Sequence, residues 1–213
     1  MIAIVDYGMG NLASVAKAFE SLYADVIVTR DPADLSAAER IVLPGVGAFG
    51  EGMGKLHELD LVEPLTEQVL VRHKPFLGIC LGMELMATDS HEAGYHRGLG
   101  WIDGTVRPLA DLAPSLKAIH IGWNDVEPSE GSPLFAHLGD SPNFYFVHQY
   151  YVDCRDPALV SGTTEYGGSF AAAVQKGNLL AVQFHPEKSQ EAGLALLRNF
   201  LAWDPSEVPP PPC

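Results

Sequence analysis

Short apolar runs alternate with helix-like segments through the first 90 residues, and this alternation limits the possible folds more than any other feature. Ile2–Val5 is apolar throughout, as expected for a parallel strand that is buried on both faces. After a Gly-rich turn, apolar residues recur at helical spacing from Leu12 to Tyr23. The pattern then predicts strands at Val26–Val28, Ile41–Leu43 and Phe76–Ile79 and helices at Leu61–Arg72 and Leu81–Ala87. This order predicts a three-layer α/β fold with a doubly wound, mainly parallel sheet.

The second half of the chain is richer in strands. Strands are predicted at Ala118–Ile121, Phe144–Val147, Leu159–Ser161, Phe170–Val174 and Leu179–Phe184, and a final helix at 190–201. A mixed sheet with antiparallel additions fits this half, and we expect a single domain over residues 1–202. Residues 203–213 include Pro209–Pro212, which cannot join a helix or a central strand, and we expect a flexible Pro-rich tail.

Acidic residues outnumber basic ones by 27 to 13, which gives the 213-residue chain a formal net charge of −14. A surface this acidic repels phosphate backbones and anionic lipid heads, so we expect neither nucleic acid nor membrane as a partner. No apolar run approaches the ~18 residues of a membrane span, and the first residues lack the pattern of a secretion signal. Because the three cysteines are too few for a disulfide framework, we expect a cytoplasmic protein in a reducing compartment.

The segment Gly78-Ile79-Cys80-Leu81-Gly82 carries the strongest local signal for chemistry. It follows an apolar strand, opens a helix, and has the pattern of a nucleophile elbow with cysteine in place of serine. Its glycines allow the sharp turn that lifts the nucleophile clear of the sheet. The helix N-terminus favours a thiolate and a developing oxyanion. Taken alone, the segment is equally compatible with a structural cysteine in an ordinary strand-to-helix turn.

A second signal, His185-Pro186-Glu187, follows the last predicted strand. Residues two apart on an extended backbone point to the same side, so Glu187 can accept a hydrogen bond from His185 and fix its tautomer. Pro186 favours an extended His185, which supports that geometry. Cysteine, histidine and an orienting carboxylate are the groups of a triad for acyl transfer. Both signals lie at carboxyl ends of strands, where open α/β sheets bind ligands.

A glycine-rich loop follows the strand at Ile41–Leu43. Gly45, Gly47 and Gly50 have the spacing of a dinucleotide-binding fingerprint, but the acidic residue expected about 20 positions later at a strand end is missing. We therefore interpret the loop as a source of backbone N–H groups for an oxyanion. The eight histidines form no H-E-x-x-H motif and the cysteines no C-x-x-C motif, so we expect no metal site.

Seven segments of the sequence also match a known family in the same order. They are DYGMGN (6–11), LPGVGAF (43–49), GICLGM (78–83), GLG (98–100), HIGWN (120–124), YFVH (145–148) and QFHPEKS (183–189). With these segments the chain resembles the class I, triad-type glutamine amidotransferases, and among them the glutaminase subunits of imidazole glycerol phosphate synthase. The elbow and the His-Pro-Glu segment occur in many amidotransferases, whereas HIGWN and YFVH are more specific to these subunits.

The resemblance implies a role for several residues. Cys80 would be the nucleophile, His185 the base and then the acid, and Glu187 its orienting partner. The implied oxyanion hole uses backbone N–H groups of Leu81 and of Val46 and Gly47. The remaining roles are contact with glutamine by Glu84, His148, Gln149 and Tyr150 and contact with the cyclase subunit by Asn11, Trp123 and Lys188. No cofactor or metal is implied.

The implied activity is hydrolysis of L-glutamine to glutamate and ammonia. The ammonia would pass to a cyclase subunit, bound as a heterodimer, that makes imidazole glycerol phosphate in histidine biosynthesis. Three alternatives stay open: another class I amidotransferase paired with a different synthase, a stand-alone cysteine hydrolase acting on γ-glutamyl or peptide bonds, and a flavodoxin-like binding module in which Cys80 is inert.

The chain departs from the family pattern at two positions. Glu84 stands where the family has a glutamine that helps hold the substrate amino acid. A carboxylate there would repel the α-carboxylate of glutamine unless it is protonated or turned toward the ammonium group. Gln149 stands where relatives often have Ser or Thr, a change that backbone contacts can survive.

Overall fold

Eight strands form one continuous sheet that supports the rest of the molecule. The structure is a computed structural model and describes residues 1–112, 114 and 116–207. The helices are α1 (Leu12–Ser21), α2 (Pro32–Ala37), α3 (Phe49–Glu58), α4 (Val62–Thr66), α5 (Leu81–Leu85), α6 (Leu109–Leu112) and α7 (Gln190–Ala202). The strands are β1 (Ile2–Val5), β2 (Val26–Thr29), β3 (Arg40–Gly45), β4 (Phe76–Cys80), β5 (Ala87–Ser90), β6 (His96–Arg97), β7 (Ile102–Pro108), β8 (His120–Asp125), β9 (Glu127–Pro128), β10 (Asn143–His148), β11 (Tyr150–Cys154), β12 (Val160–Glu165), β13 (Ser169–Lys176) and β14 (Leu179–Val182).

The strand order of the large sheet is β2-β1-β3-β4-β14-β13-β12-β9. The first five strands run parallel to one another, and each of the last three is antiparallel to the strand before it in this order. The predicted fold class, a doubly wound and mainly parallel sheet with antiparallel additions, is thus confirmed. Because β4 and β14 are parallel neighbours with Ile79 opposite Val182, the segments that follow them leave the sheet at the same edge.

Two buried apolar clusters lie on opposite faces of the sheet, as the side-chain alternation of strands requires. One contains Phe19 of α1 and Phe200 of α7, whose rings meet edge to face at 6.3 Å. The other contains Leu56 of α3 and Leu85 of α5. With helices on both faces, the apolar runs of β1, β3 and β4 are buried throughout. The fully apolar strand patterns in the sequence are therefore explained by coverage on both sides.

Two smaller sheets complete the fold: β10 with β8, and a four-stranded sheet in the order β11-β7-β5-β6. The sequence pattern did not predict β5, β6, β7 and β11. The predicted helix at Leu81–Ala87 ends at Leu85, and Ala87 already begins β5. The predicted helix at Leu61–Arg72 is α4 followed by a π-helical turn at Glu67–Val71.

The ends of two elements differ from the sequence prediction. Placing Tyr23 on the apolar stripe of α1 was wrong: the helix ends at Ser21, and Tyr23 has a φ of 62° with a side chain that is 99% exposed. At the C-terminus, Trp203 is buried and Pro205–Glu207 forms a 3₁₀ turn. Residues 208–213 of the predicted tail lie outside the described residues. Within the described part, no helix has the length and apolarity to cross a membrane.

Candidate active site

Cys80 is the last residue of β4 and stands directly before α5. Its φ of 54° and ψ of −112° lie outside the regions that a residue with a side chain normally adopts. Such strain persists only where the surroundings fix the backbone. Here α5 packs back against the strands so closely that a Cβ on Gly82 would lie 1.8 Å from the carbonyl oxygen of Leu43. The two glycines of the motif therefore permit a strained turn that presents the cysteine at the edge of the sheet.

The thiol of Cys80 is 5% exposed, and its surroundings oppose ionisation. Burial raises the pKa of the thiol well above its ordinary value, and Glu84, when it is ionised, raises it further. The Leu81 N–H donates a hydrogen bond that lowers the pKa, but this effect is smaller. The expected stabilisation of a thiolate by the helix N-terminus is thus outweighed by burial. The sulfur keeps its proton until a base removes it.

His185 and Glu187 follow β14, the parallel neighbour of β4. His185 Nδ1 lies 2.8 Å from Glu187 Oε1, and the two side chains are only 2% and 1% exposed. Because a carboxylate only accepts, Nδ1 carries a proton, and in the neutral ring Nε2 is then the atom with the lone pair. Among the described residues, Nε2 has no hydrogen-bond partner, and no hydrogen bond joins it to the Cys80 thiol.

A pocket of about 350 Å³ opens in front of Cys80. It is lined by every residue that the sequence analysis assigned to the oxyanion hole and to the substrate: Val46, Gly47, Leu81, Glu84, His148, Gln149 and Tyr150. Glu92, Ile119 and Val147 complete the wall. His185 and Glu187 do not line the pocket. Larger cavities lie elsewhere, so the chemistry of the lining, rather than the size, makes this the candidate active site.

Glu92 is a pocket residue that the sequence analysis missed. Its Oε2 accepts a hydrogen bond of 2.6 Å from the backbone N–H of Phe49, the first residue of α3. The carboxylate thereby caps α3 and fixes the end of the glycine-rich loop beside the pocket. No periodicity or motif in the 91–97 segment indicates this role, because the contact spans 43 residues of sequence.

The three residues expected to face a partner lie on the surface. Asn11 precedes α1 and is exposed, as is Lys188. Trp123 on β8 is 46% exposed, and its ring lies 6.1 Å from that of Tyr145, which in turn lies 5.7 Å from Lys188 Nζ. Since α1 packs against the Pro186–Lys188 turn, these residues belong to neighbouring parts of one surface.

The sequence model of the family described as glutamine amidotransferase class-I matches residues 3–203 of the chain. The chain belongs to this family. Within it, the chain is 48% identical over 200 residues to imidazole glycerol phosphate synthase subunit HisH 1 of Campylobacter jejuni subsp. jejuni, covering 94% of this chain and 98% of the relative. It is 46% identical over 212 residues to subunit HisH of Rhodospirillum rubrum, covering 96% and 99%.

Solved structures agree with the fold of this class I amidotransferase. A crystal structure of a glutamine amidotransferase superposes with a TM-score of 0.74 at 19% identity, covering 95% of this chain and 98% of the other. The structure of PurLQS from Thermotoga maritima superposes with a TM-score of 0.72 at 17% identity, covering 94% and 97%. At these identities the likeness concerns the fold alone.

Glu84, which the sequence analysis set apart as a departure from the expected residue, lies on α5 and is 5% exposed. Its Oε1 accepts a hydrogen bond of 2.8 Å from Nε2 of Gln183, another residue that the sequence analysis did not single out. Burial raises the pKa of the Glu84 carboxyl to about 8, although the bond from Gln183 lowers it. At neutral pH the group is therefore mainly protonated and uncharged.

Proposed function

We propose that this chain is the glutamine-hydrolysing subunit of an imidazole glycerol phosphate synthase. The observation that carries the proposal is the pocket in front of Cys80, at the same sheet edge as the His185–Glu187 pair. It occurs in a chain 46–48% identical to subunits of that enzyme over nearly their whole length.

In the proposed reaction, His185 Nε2 takes the proton of the Cys80 thiol while the sulfur attacks the side-chain carbonyl carbon of glutamine. The His185 imidazolium then gives that proton to the amide nitrogen, and the C–N bond breaks. Ammonia departs, and a glutamyl thioester remains on Cys80. Water next attacks the thioester as His185 takes its proton. The C–S bond breaks, the sulfur regains the proton, and glutamate leaves. Glu187 orients the ring and stabilises the imidazolium in both halves.

The oxyanion of each tetrahedral intermediate needs hydrogen-bond donors that are already in place. We assign this role to the backbone N–H of Leu81 and to N–H groups of the Val46–Gly47 loop. The position of these residues in the wall of the pocket supports the assignment, as does the capping of the adjacent helix by Glu92. The elevated pKa of Cys80 adds a requirement, since sulfur attack must be coupled to proton transfer to His185.

The lining of the pocket suits the amino-acid end of glutamine. A Glu84 that is protonated near neutral pH carries no charge and does not repel the α-carboxylate of glutamine. Glutamine can therefore bind although a glutamate occupies this position. Glu92 supplies an acidic side chain for the α-ammonium group. Residues 148–150 form another part of the wall, and Gln149 and Tyr150 can meet the substrate through their backbone.

Ammonia released in bulk water would be protonated and lose its nucleophilicity, so the product has to reach an acceptor without leaving the protein. We assign the surface with Asn11, Trp123 and Lys188 to a cyclase subunit that receives the ammonia in a heterodimer. The exposure of Trp123 supports this assignment, because tryptophan is enriched at the centres of protein interfaces. We place the complex in the cytoplasm, in keeping with the free Cys80 and Cys154.

The experiment that tests the proposal compares glutamine and ammonium salts as nitrogen donors for the complex with a cyclase subunit. Cys80→Ala should abolish glutamine-dependent turnover and preserve ammonia-dependent turnover. Cys154→Ala, which changes the half-buried cysteine on β11, is the matched control and should preserve both. Glutamine-dependent turnover by the Cys80→Ala complex would refute the assignment of the nucleophile. Full glutaminase activity of the chain without any partner would instead favour a stand-alone hydrolase.

A further inference from the structure

Two buried histidines, one in the wall of the pocket and one behind it, transfer no proton in the proposed reaction. His120, the first residue of β8, is 4% exposed, and His148, the last residue of β10, is 6% exposed. They are direct cross-strand partners. Burying two imidazoles costs hydration energy, and apolar residues would fill this space at lower cost. Their hydrogen bonds therefore call for a reason beyond packing.

These hydrogen bonds form a chain whose direction is fixed at one end. His148 Nδ1 lies 2.7 Å from the backbone oxygen of Tyr150, which can only accept, so Nδ1 must carry the proton. Burial lowers the pKa of His148 to about 3, so the ring is neutral and its Nε2 is an acceptor. His120 Nδ1, 3.0 Å from that Nε2, must therefore be the donor.

The other end of the chain agrees with this direction. Burial lowers the pKa of His120 to about 4, which leaves its Nε2 as an acceptor, and Asn124 Nδ2 lies 3.2 Å away as the donor. The Asn124 amide cannot flip without losing two further hydrogen bonds: its Nδ2 also donates to the backbone oxygen of Glu165, and its Oδ1 accepts from the Asp125 N–H. Donation thus runs from Asn124 through His120 and His148 to the carbonyl of Tyr150.

Ring stacking restricts His120 in addition to these bonds. Its ring lies between those of Phe146 and Tyr166, at centroid distances of 4.6 and 4.4 Å and interplanar angles of 22° and 24°. Stacking between two aromatic faces fixes the plane of the His120 ring. Within that plane, the hydrogen bonds to His148 and Asn124 determine that Nδ1 faces His148.

The chain ends in the wall of the substrate pocket. His148, Gln149 and Tyr150 all line it, and two of their carbonyl oxygens are occupied: Tyr150 O by His148 and Gln149 O by the N–H of Leu109. The first of these bonds depends on the orientation of the His148 ring, which the hydrogen bond from His120 to Nε2 holds in place. We propose that His120 is a positioning residue for glutamine hydrolysis, which fixes residues 148–150 against the substrate through His148. This inference rests on the proposed function.

His120→Phe tests the proposal, because phenylalanine keeps the stack and removes both ring nitrogens. His120→Asn returns one donor and one acceptor, and His57→Phe, at an exposed position of α3, is the matched control. Each variant is measured in complex with the cyclase subunit for the KM and kcat of glutamine hydrolysis and for ammonia-dependent turnover. Nitrogen-15 NMR of the His148 ring reports its tautomer in each variant.

We expect His120→Phe to raise the KM for glutamine about 10-fold, the effect of one lost buried hydrogen bond, with a smaller change in kcat. His120→Asn should recover most of this loss, and His57→Phe should match the wild type. Ammonia-dependent turnover should be unchanged throughout. In the wild type, the NMR spectrum should place the His148 proton on Nδ1. His120→Phe removes the donor to His148 Nε2, so the Nε2 resonance should shift toward that of a nitrogen without a hydrogen bond.

A KM for His120→Phe equal to that of the wild type would overturn the inference, as would equal losses of glutamine- and ammonia-dependent turnover. If the Phe variant does not fold, the wild-type spectrum decides, since a His148 proton on Nε2 is incompatible with the chain. Absence of glutamine hydrolysis by the wild-type complex would refute the proposed function itself. An active wild type with an unaffected His120→Phe variant would refute only the role of His120.

Discussion

Replacing Glu84 by glutamine should change how the stability of the protein depends on pH. In the unfolded chain this carboxyl loses its proton near its ordinary pKa of 4.5, whereas burial in the folded chain raises the pKa to about 8. Between these values the folded state holds a proton that the unfolded state has released. The Glu84 contribution to the free energy of unfolding is therefore fully present below pH 4.5 and is lost as the pH rises toward 8.

The size of the effect follows from the interval between the two pKa values. Each pH unit within it changes the free energy of unfolding by about 1.4 kcal/mol, so the loss from pH 5 to pH 8 is on the order of 3 kcal/mol. Glu84→Gln removes the titrating group and keeps an amide oxygen for Gln183. The variant should thus gain stability relative to the wild type as the pH rises, and the gain should level off above pH 8.

Urea unfolding of both proteins at pH values from 5 to 9 measures this difference. Glu63→Gln, at an exposed glutamate of α4, provides the matched control and should differ from the wild type by a constant amount. A difference between Glu84→Gln and the wild type that stays constant from pH 5 to 9 would show that the buried carboxyl does not hold its proton. The explanation of how Glu84 tolerates a substrate carboxylate would then fail as well.

Two further substitutions test the packing around the elbow by urea unfolding. Gly82→Ala places a Cβ 1.8 Å from the backbone oxygen of Leu43 and should lower the free energy of unfolding by about 3 kcal/mol or more. The control Gly54→Ala, at a position of α3 with open space around it, should raise the free energy of unfolding by up to about 1 kcal/mol. Similar effects of the two substitutions would refute the close approach at Gly82. Tyr7→Phe should stabilise the protein by about 1 kcal/mol, because the Tyr7 hydroxyl is buried without a hydrogen-bond partner among the described residues; a loss of stability would mean that the hydroxyl has one.

The sequence predicted those parts of the fold that depend on local pattern. The apolar run Ile2–Val5 became a central parallel strand because helices cover both faces of the sheet there. The strand Ala87–Ser90 was missed because two of its four residues are half-buried polar side chains that disturb the alternation. Its partner β6 lies nearby in the chain, with Ser90 opposite His96, but has only two residues, which is too short to show an alternating pattern.

In the candidate site, too, the residues with a local sequence pattern could be predicted, and those placed by contacts between distant segments could not. Cys80 carries a local signal, since the elbow requires glycines at fixed offsets. The His185–Glu187 contact was predicted correctly, but the extended backbone assumed for it was wrong beyond His185, because Pro186–Lys188 forms a 3₁₀ turn. Glu92 and Gln183 carry none, because each meets the site through a contact that spans tens of residues. The elevated pKa of Cys80 was also out of reach, as burial depends on the complete fold.

A cysteine that keeps its proton and is almost closed to solvent reacts slowly with peroxides and disulfides, because these reactions need a thiolate and physical access. The same burial that delays catalysis until a base acts therefore shields the sulfur from oxidative damage while the site stands idle. A sulfur that is protected from oxidation is also less ready to attack a substrate. In the free enzyme, the burial and protonation of Cys80 favour protection.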